Sequence, residues 1–416
     1  MPPVSLYFHI PFCTHRCAYC DFNTYAGQEE LIPAYVEALC SEVEFVGSHL
    51  PSPFRRGAGG EVHTIFFGGG TPSLLTPKQF EHIFQSIFSN FSLTDDVEIT
   101  IEANPGTCSF ADLLDLHSLG INRISYGVQS ANPNELRILE RIHGFFDVIE
   151  AVTSARKAGF VSLNLDLIYG LPEQTLASWQ ITIQRILDLH PEHISAYALT
   201  LEHGTPFGRW SSKGLLPIPD PDLAAEMYEW LSDTLESNGF IQYEISNWAK
   251  DVKGQMSSVR PATLLPSSLI PAFSCRHNLQ YWRSLPYLAF GAGAHGYASG
   301  YRYSNVLRIK TYIERLSNID TRISNTEFPR SPATVNLHKQ SLQDDLSDYM
   351  LNNLRLVQAG VSDTDFTSRF GRGLMDVYAV ELQELVSVGL LEWRGDSICL
   401  TRHGRLLGNR VFMRFV

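Results

Sequence analysis

Short apolar runs alternate with amphipathic stretches through the first half of the chain. Each run has the length and the β-branched or aromatic content of a buried strand, and the runs fall at residues 6–10, 64–67, 97–101, 122–126, 163–168 and 194–199. Between them, apolar residues recur at helical spacing, first at Tyr35, Leu39, Val43 and Val46. Thr76, followed by Pro77, is placed to cap the next helix. The pattern predicts six strands joined by right-handed helical crossovers into a parallel sheet.

Six strand–helix units are fewer than the eight of a closed barrel, so we expect an α/β fold with a partial, open (β/α)6 TIM-like barrel. Functional residues of such barrels lie at the C-terminal ends of the strands. The unusual residues here fall at those ends: Cys13 to Cys20 after the first strand, Gly68 to Gly70 after the second, Glu102 after the third, Gln129 after the fourth and Asp166 within the fifth. Their order predicts one functional site along this edge.

The pattern changes beyond about residue 240. Residues 251–274 are rich in Ser and Pro and predict an irregular loop or insertion. From residue 340, amphipathic helices precede two strands that flank Arg394-Gly395-Asp396, as in a β-hairpin. We therefore expect a core at 1–240, a connecting region at 241–339 and an α+β, winged-helix-like domain at 340–416. This last segment has ten acidic and eight basic residues, which favours packing or partner contact over DNA binding.

Composition and charge narrow the class of protein. The 416 residues are 44% hydrophobic and 18% charged, as in ordinary globular proteins. The net charge of −12 argues against nucleic acid as a partner. Residues 4–10 have the pattern of a strand rather than of a signal peptide, and no apolar run reaches membrane-spanning length. Seven cysteines indicate a reducing compartment, so we expect a cytoplasmic protein.

Three of the cysteines, Cys13, Cys17 and Cys20, form a C-x3-C-x2-C cluster. An odd number of thiols cannot pair off as disulfides, and thiolates are soft ligands that suit zinc or an iron–sulfur cluster. A structural zinc site needs a fourth ligand nearby, and His15 has the wrong spacing to supply it. Three thiolates on a four-iron cluster would leave one iron open to an outside ligand. A zinc loop and an unliganded group of thiols remain alternatives.

The other candidates also allow two interpretations. The run from Gly68 to Pro72 is either a tight turn or a backbone that approaches a ligand closely. Glu102, Gln129 and Asp166 are either capping residues or groups that bind a ligand, such as ribose hydroxyls. Arg141 is either a surface charge or a partner for a ligand carboxylate.

These segments together resemble the radical S-adenosylmethionine (SAM) superfamily, in the branch that contains the coproporphyrinogen dehydrogenase HemN and the heme chaperone HemW. The likeness covers nearly the whole chain and rests on Tyr7-Phe-His-Ile-Pro-Phe-Cys13, the cysteine cluster, Phe67-Gly-Gly-Gly-Thr-Pro72, Glu102-Ala-Asn-Pro105, Gly127-Val-Gln129, Asp166-Leu-Ile-Tyr-Gly-Leu-Pro172 and the C-terminal domain. It implies a barrel of radical SAM type followed by a HemN-type domain.

The resemblance also implies roles for individual residues. The three cysteines would hold a 4Fe–4S cluster, and SAM would chelate the open iron. The implied SAM-binding residues are Gly69, Gly70 and Thr71 at the methionine moiety, Gln129, Arg141 and Asp166 in further contacts, and Tyr7, Tyr19 and Glu102 completing the pocket, with Tyr19 beside the adenine. A reduced cluster would pass an electron to the sulfonium and release a deoxyadenosyl radical. The sequence does not decide whether the protein binds one SAM molecule or two.

Two features separate the members of this branch. HemN has a fourth cysteine where this chain has Phe22, and it has a long extension where only twelve residues precede Cys13. The segment His277-Asn-Leu-Gln-Tyr-Trp282 is similar to the heme-binding motif of HemW, with His277, Asn278, Tyr281 and Trp282 as its defining residues. An imidazole can ligate heme iron, and Tyr281 and Trp282 could cover the porphyrin. Cys275 is an alternative axial ligand, and a histidine packed in the core is the alternative for the whole segment.

The resemblance thus implies a heme chaperone that carries a SAM-coordinated cluster and transfers heme to a respiratory or other hemoprotein. An oxygen-independent coproporphyrinogen dehydrogenase is the alternative, and a radical enzyme on another substrate is a weaker one. Whether the protein is an enzyme stays undecided at this stage. The sequence does not decide whether the protein forms a homodimer or makes transient contact with a membrane.

Overall fold

The computed structural model of the protein describes residues 4–49, 61–251, 270–317 and 330–416. Within these ranges the strands are β1 (Val4–Ile10), β2 (Phe12–Cys13), β3 (Tyr25–Ala26), β4 (Glu61–Gly69), β5 (Ser92–Ala103), β6 (Arg123–Gln129), β7 (Ser162–Tyr169), β8 (His193–Ala198), β9 (Phe240–Glu244), β10 (Asn247–Lys250), β11 (Tyr287–Phe290), β12 (His295–Ala298), β13 (Tyr301–Asn305), β14 (Thr334–Lys339), β15 (Val361–Ser362), β16 (Leu391–Arg394) and β17 (Ser397–Leu400). The helices are α1 (Ile32–His49), α2 (Pro77–Asn90), α3 (Phe110–Ser118), α4 (Pro133–Ile138), α5 (Phe145–Lys157), α6 (Leu176–Leu187), α7 (Pro206–Ser212), α8 (Pro221–Ser237), α9 (Arg276–Trp282), α10 (Ile309–Ser317), α11 (Leu342–Asn353), α12 (Asp363–Phe370), α13 (Leu374–Ser387), α14 (Arg402–Leu406) and α15 (Gly408–Phe412).

The chain divides into two compact units that alternate along the sequence. The first comprises Met1–Met227 and Pro286–Lys339, and the second comprises Tyr228–Leu285 and Gln340–Val416. The predicted connecting region, 241–339, contributes β9, β10 and α9 to the second unit and β11 to β14 to the first. The predicted boundaries at 240 and 339 stay predictions. Most of the predicted irregular stretch, 251–274, lies outside the described residues.

The first unit is built on a sheet whose neighbouring strands run in the order β14-β13-β12-β11-β1-β4-β5-β6-β7-β8. The strands from β1 through β4 to β8 are parallel and match the six runs predicted from the sequence. The strand β5 is longer than its predicted 97–101. Phe8 of β1 is fully buried, and its ring stacks on Phe67 at 4.9 Å and on Phe290 at 5.1 Å. Aromatic burial of this kind stabilises the centre of the sheet.

The helices that follow β1 and β4 cover the sheet as their apolar spacing predicts. On α1, Tyr35, Leu39, Val43 and Val46 are all buried. Helix α2 begins with a capping box, in which the Gln79 N–H donates to Thr76 Oγ1 and the Thr76 N–H donates to the Gln79 side chain. Pro77 occupies the first helical position, where a missing N–H has no cost.

Strands β11 to β14 extend the sheet of the first unit. The sequence did not predict this extension. Strand β11 pairs in parallel with β1, and β12 to β14 continue antiparallel. The buried Glu42 carboxylate on α1 holds this extension in place. It accepts hydrogen bonds from the Gly291 N–H at 2.9 Å, Asn305 Nδ2 at 2.9 Å, the Tyr312 hydroxyl at 2.6 Å and Ser331 Oγ at 2.6 Å.

The second unit contains the predicted winged-helix-like domain. Leu346, Tyr349 and Met350 of α11 are buried in one apolar cluster with residues of α13. Strands β16 and β17 form the predicted antiparallel hairpin, and Gly395 turns between them at φ 63°. A further short helix, α12, packs into the same cluster through Phe366. Among the helices in the described ranges, none is long and apolar enough to cross a membrane.

Candidate functional site

The three clustered cysteines lie on a loop that two short strands hold at its ends. Cys13 ends β2, and its neighbour Phe12 pairs with Tyr25 of β3. Cys17 and Cys20 are joined by a turn, in which the Cys20 N–H donates to the Cys17 carbonyl at 3.1 Å. All three thiols are free and belong to half-buried residues. The loop therefore presents the three predicted ligands in one accessible segment.

Two donors approach the sulfur atoms of this loop. Thr71 Oγ1 lies 3.6 Å from Cys13 Sγ, and Arg141 Nη1 lies 3.6 Å from Cys17 Sγ. Burial raises the pKa of the Cys13 thiol to about 11, and the hydrogen bond from Thr71 partly offsets that effect. Metal binding requires the thiolate, so a cluster would displace this proton, and donors aimed at sulfur favour the charged form.

This donor set fits a four-iron cluster. Among the residues that the structure describes, no three His, Cys, Asp or Glu side chains are grouped to hold one metal ion. A cluster takes its thiolates on different irons, so its ligands need not converge on a single point. Three thiolates from Cys13, Cys17 and Cys20 would leave one iron for another ligand.

The glycine turn after β4 fastens the cysteine loop to the sheet. The Gly70 N–H donates to the Ile10 carbonyl at 2.8 Å, and the Thr71 N–H donates to the Phe12 carbonyl at 2.7 Å. Gly69 has φ +111°, and a Cβ on Gly70 would approach the Phe12 carbonyl oxygen to 2.5 Å. Glycine is therefore required at both positions by the tight turn and by the neighbouring backbone.

Arg141 is directed into the site, which disfavours its interpretation as a surface charge. Its Nη2 donates to the Gly127 carbonyl at 2.7 Å and to Asn104 Oδ1, while Nη1 faces Cys17. Its Nε is buried and has no hydrogen-bond partner among the described residues. Asn104 also donates from Nδ2 to Thr71 Oγ1 at 3.0 Å. The guanidinium thus links the cysteine loop to the ends of β5 and β6, and its Nε–H remains available to a further acceptor.

Gln129 joins the same group at the end of β6, where its backbone is left-handed at φ 69°. Three polar atoms surround Gly127, where the residue has no Cβ. A Cβ added there would lie 3.0 to 3.2 Å from Gln129 Nε2, Asn104 Oδ1 and Arg141 Nη2. The structure therefore brings Gln129 and Arg141 together, as the resemblance implies for residues of one SAM site.

The two predicted carboxylates, Glu102 and Asp166, lie on the inner face of β5 and β7. The Gly69 N–H donates to Glu102 Oε2 at 3.0 Å. Loss of solvation and the nearby Asp166 charge raise the pKa of Glu102 to about 8. Burial also raises the pKa of Asp166, against hydrogen bonds from Ser125, Ser195 and Asn164. Buried carboxyl groups in this position can form hydrogen bonds with the hydroxyl groups of a ligand.

A row of polar side chains beneath Asp166 was missed by the sequence reasoning. Glu102, Ser125, Asn164 and His193 are register partners on four neighbouring strands. Asn164 Nδ2 donates to Asp166 Oδ1 at 2.8 Å, and His193 Nδ1 donates to Asn164 Oδ1 at 2.6 Å. Burial lowers the pKa of His193 and keeps its ring neutral. The signal was the alternation of Asn164 with Asp166, which places both on one face of β7.

Tyr7 precedes the cysteine loop and Tyr19 lies inside it, between Cys17 and Cys20, and the two residues have different surroundings. The Tyr7 hydroxyl is 2.9 Å from His9 Nδ1, and His9 Nε2 donates to the Asn23 carbonyl at 2.9 Å. Tyr19 packs near Phe207, with ring centroids 6.4 Å apart, in a small apolar cluster. An apolar, aromatic wall of this kind suits the adenine that the resemblance places beside Tyr19.

The predicted heme-binding segment forms helix α9, in the second unit. His277 is 1% exposed, and its Nε2 lies 2.7 Å from the Tyr281 hydroxyl. Burial lowers the pKa of His277 to about 3. Asn278, Tyr281 and Trp282 are half-buried. The guanidinium of Arg355 lies 4.3 Å from the centre of the Trp282 ring, a cation–π contact.

Comparison with known proteins first gives the class. The family model described as "Radical SAM superfamily" matches residues 7–186, and the one described as "HemN C-terminal domain" matches residues 340–407. The first of these covers the cysteine loop and the polar edge of the sheet, so the site belongs to the radical SAM class of proteins.

Full-length relatives give the family. "Heme chaperone HemW" of Bacillus subtilis is 35% identical, over 99% of both chains, and the Escherichia coli protein of the same name is 33% identical, over 100% of this chain and 99% of its own. The structure of "Coproporphyrinogen III oxidase (HemN)" from Escherichia coli matches with a TM-score of 0.78 at 22% identity, covering 100% of this chain and 90% of its own. The chain belongs to the HemW family of the radical SAM superfamily.

These matches confirm the predicted resemblance and the fold class. The superfamily implies a 4Fe–4S cluster and SAM as cofactors. The individual ligand and binding residues stay predictions.

Proposed function

We propose that this protein is a heme chaperone, which binds heme through residues 277–282 and transfers it to a respiratory or other hemoprotein. The observation that carries the proposal is the similarity, over 99% of the chain, to a protein named as a heme chaperone. The segment His277 to Trp282 supports it, because one short helix carries an imidazole, a phenol and an indole. Reduced thiols suit a cytoplasmic protein. Contact with a membrane would depend on where the recipient hemoprotein lies.

We also propose that Cys13, Cys17 and Cys20 hold a 4Fe–4S cluster with SAM on its open iron. When reduced, such a cluster supplies the electron that cleaves SAM. The residues of the chain orient and enclose these groups. Thr71 and Arg141 donate toward the sulfur atoms. The Nε–H of Arg141, which has no partner among the described residues, would donate a hydrogen bond to the SAM carboxylate.

The remaining predicted residues would hold the rest of SAM. Gly69 and Gly70 would lie beside the methionine moiety, and Tyr19 would lie against the adenine. Glu102, Gln129 and Asp166 present polar atoms along the same edge, and Tyr7 closes the pocket from β1.

Anaerobic reconstitution followed by heme titration, with and without SAM, tests the proposal. We expect stoichiometric binding, seen as a new Soret band, that His277→Ala and Trp282→Ala weaken. The matched controls are His403→Ala and Trp393→Ala, two exposed residues of the same unit. No stoichiometric heme binding by the wild type would reject the function.

The same preparation distinguishes the alternative enzyme. Incubation with coproporphyrinogen, dithionite and SAM under anaerobic conditions should give no protoporphyrinogen. Phe22 is exposed at the position where HemN is expected to have its fourth cysteine. Turnover of the porphyrinogen would replace the chaperone proposal with a dehydrogenase.

A further inference from the structure

Three side chains near helix α9 could supply an axial ligand to heme iron, and they differ in access. Cys275 is 3% exposed, and its N–H donates to the Tyr243 hydroxyl at 3.2 Å. His277 is 1% exposed. Tyr281 alone of the three is partly accessible. Iron in a flat, rigid porphyrin must approach its ligand atom closely, so access favours the phenol oxygen.

The imidazole is also engaged by the phenol. His277 and Tyr281 are four residues apart and share one face of α9. Their rings meet edge to face, with centroids 4.9 Å apart and planes at 85°, and His277 Nε2 lies 2.7 Å from Tyr281 Oη. An Nε2 atom that forms this bond cannot at the same time ligate iron.

Trp282 fixes the neighbouring surface. Its ring packs against the apolar cluster that contains Leu279 and Leu356, and Arg355 covers one of its faces. The helix is therefore held by its buried side, and Tyr281, a half-buried residue, is carried on a fixed frame.

We propose that Tyr281 Oη is the axial ligand of ferric heme and that His277 is a positioning residue that holds this oxygen. The inference rests on the proposed function, since it names the ligand of the same heme. Phenolate is an established class of heme ligand. On binding, the iron–oxygen bond forms and the Oη–H bond breaks. The proton is released to the surrounding water and His277 stays neutral. No electron is transferred, so the iron stays ferric.

The test is a titration of the reconstituted full chain with hemin, followed by resonance Raman and EPR spectroscopy. The wild type should give a high-spin ferric spectrum with iron–phenolate modes that shift when the tyrosines are ring-deuterated. Tyr281→Phe keeps the ring packing, and it should lose these modes and raise the Kd for hemin at least tenfold. Tyr378→Phe, in the apolar core of the same unit, is the matched control and should change neither.

His277 variants separate positioning from packing. His277→Ala should keep the phenolate modes but shift their frequency and make heme loss more sensitive to acid. His277→Gln, which offers a side-chain hydrogen bond, should restore the wild-type frequency in part. A structural role alone would change stability without this rescue.

Two results would overturn the assignment. If the wild-type spectrum has no mode that responds to tyrosine deuteration, Tyr281 is not the ligand, whatever the variants do. If Tyr281→Phe keeps the wild-type spectrum while His277→Ala loses it, histidine is the ligand and the chaperone proposal survives. Absence of heme binding by the wild type would instead remove the proposed function itself.

Discussion

Replacing Arg141 by alanine should weaken SAM binding about 10- to 100-fold while the protein keeps its iron. Arg141 links Cys17, Asn104 and Gly127 through its two terminal nitrogens, and its buried Nε has no partner among the described residues. A SAM carboxylate placed at Nε would form a charge-assisted hydrogen bond. The iron–thiolate bonds do not depend on this donor, so cluster content should survive.

The magnitude follows from the type of bond lost. Hydrogen bonds to charged groups contribute about 1.5–3 kcal/mol. Each 1.4 kcal/mol changes a dissociation constant about tenfold, which gives the range of about 10- to 100-fold. Arg141→Lys should recover little of this loss, because an ammonium group cannot reproduce the planar set of donors that reaches Cys17, Asn104 and Gly127 together.

The assay is equilibrium binding of SAM to anaerobically reconstituted protein, with iron measured on the same samples. Arg137→Ala is the matched control, because Arg137 is an exposed arginine on the neighbouring helix α4. Unchanged SAM affinity in Arg141→Ala with a full complement of iron would refute the reasoning. Loss of iron together with SAM binding would show that the arginine supports the cysteine loop instead.

Three further outcomes are expected. Each of Cys13→Ser, Cys17→Ser and Cys20→Ser should abolish the visible charge-transfer absorption of the reconstituted cluster, and Cys108→Ser should keep it; retention of four irons by all three single variants would contradict the ligand assignment. Because the folded state raises the pKa of Glu102 from 4.5 to about 8, the folded protein holds this proton more tightly, and its stability should fall as the pH rises between these values. In cluster-free protein, the thermal midpoint of Glu102→Gln should fall less over that pH range than the midpoint of the wild type. If the two midpoints change with pH in parallel, the pKa of Glu102 is not raised. Glu42→Ala leaves four buried donors without their acceptor and should cost about 3 kcal/mol or more in thermal unfolding, whereas Glu37→Ala, 71% exposed on the same helix, should cost little.

The parallel strands and the cap of α2 could be predicted because their causes are local. Each strand is a short apolar run, and Thr76 precedes Pro77 at the start of an amphipathic stretch. The positions of Glu102 and Gln129 at the ends of β5 and β6, and of Asp166 within β7, follow from the same local pattern together with the rule for parallel barrels. The order of elements was therefore enough to bring most of the candidate site to one edge.

The rest depends on register and packing between distant segments. Asn104 bridges Thr71 and Arg141, and the row from Glu102 to His193 exists only because four strands align at one level. Neither distance along the chain nor residue type shows that alignment. The burial of His277 likewise depends on its neighbours in the folded second unit, so the motif predicted heme binding without predicting which atom is accessible.

The assignment of the two chemistries to different units makes their relationship testable. The proposed cluster and SAM residues, from Tyr7 to Asp166, all belong to the first unit, and the proposed heme residues, from His277 to Trp282, all belong to the second. Each unit has its own buried core, so a serine at Cys13 should leave α9 folded and a phenylalanine at Tyr281 should leave the cysteine loop intact. A cluster-free Cys13→Ser protein that still binds hemin with the wild-type spectrum would show that the cluster is not required for uptake.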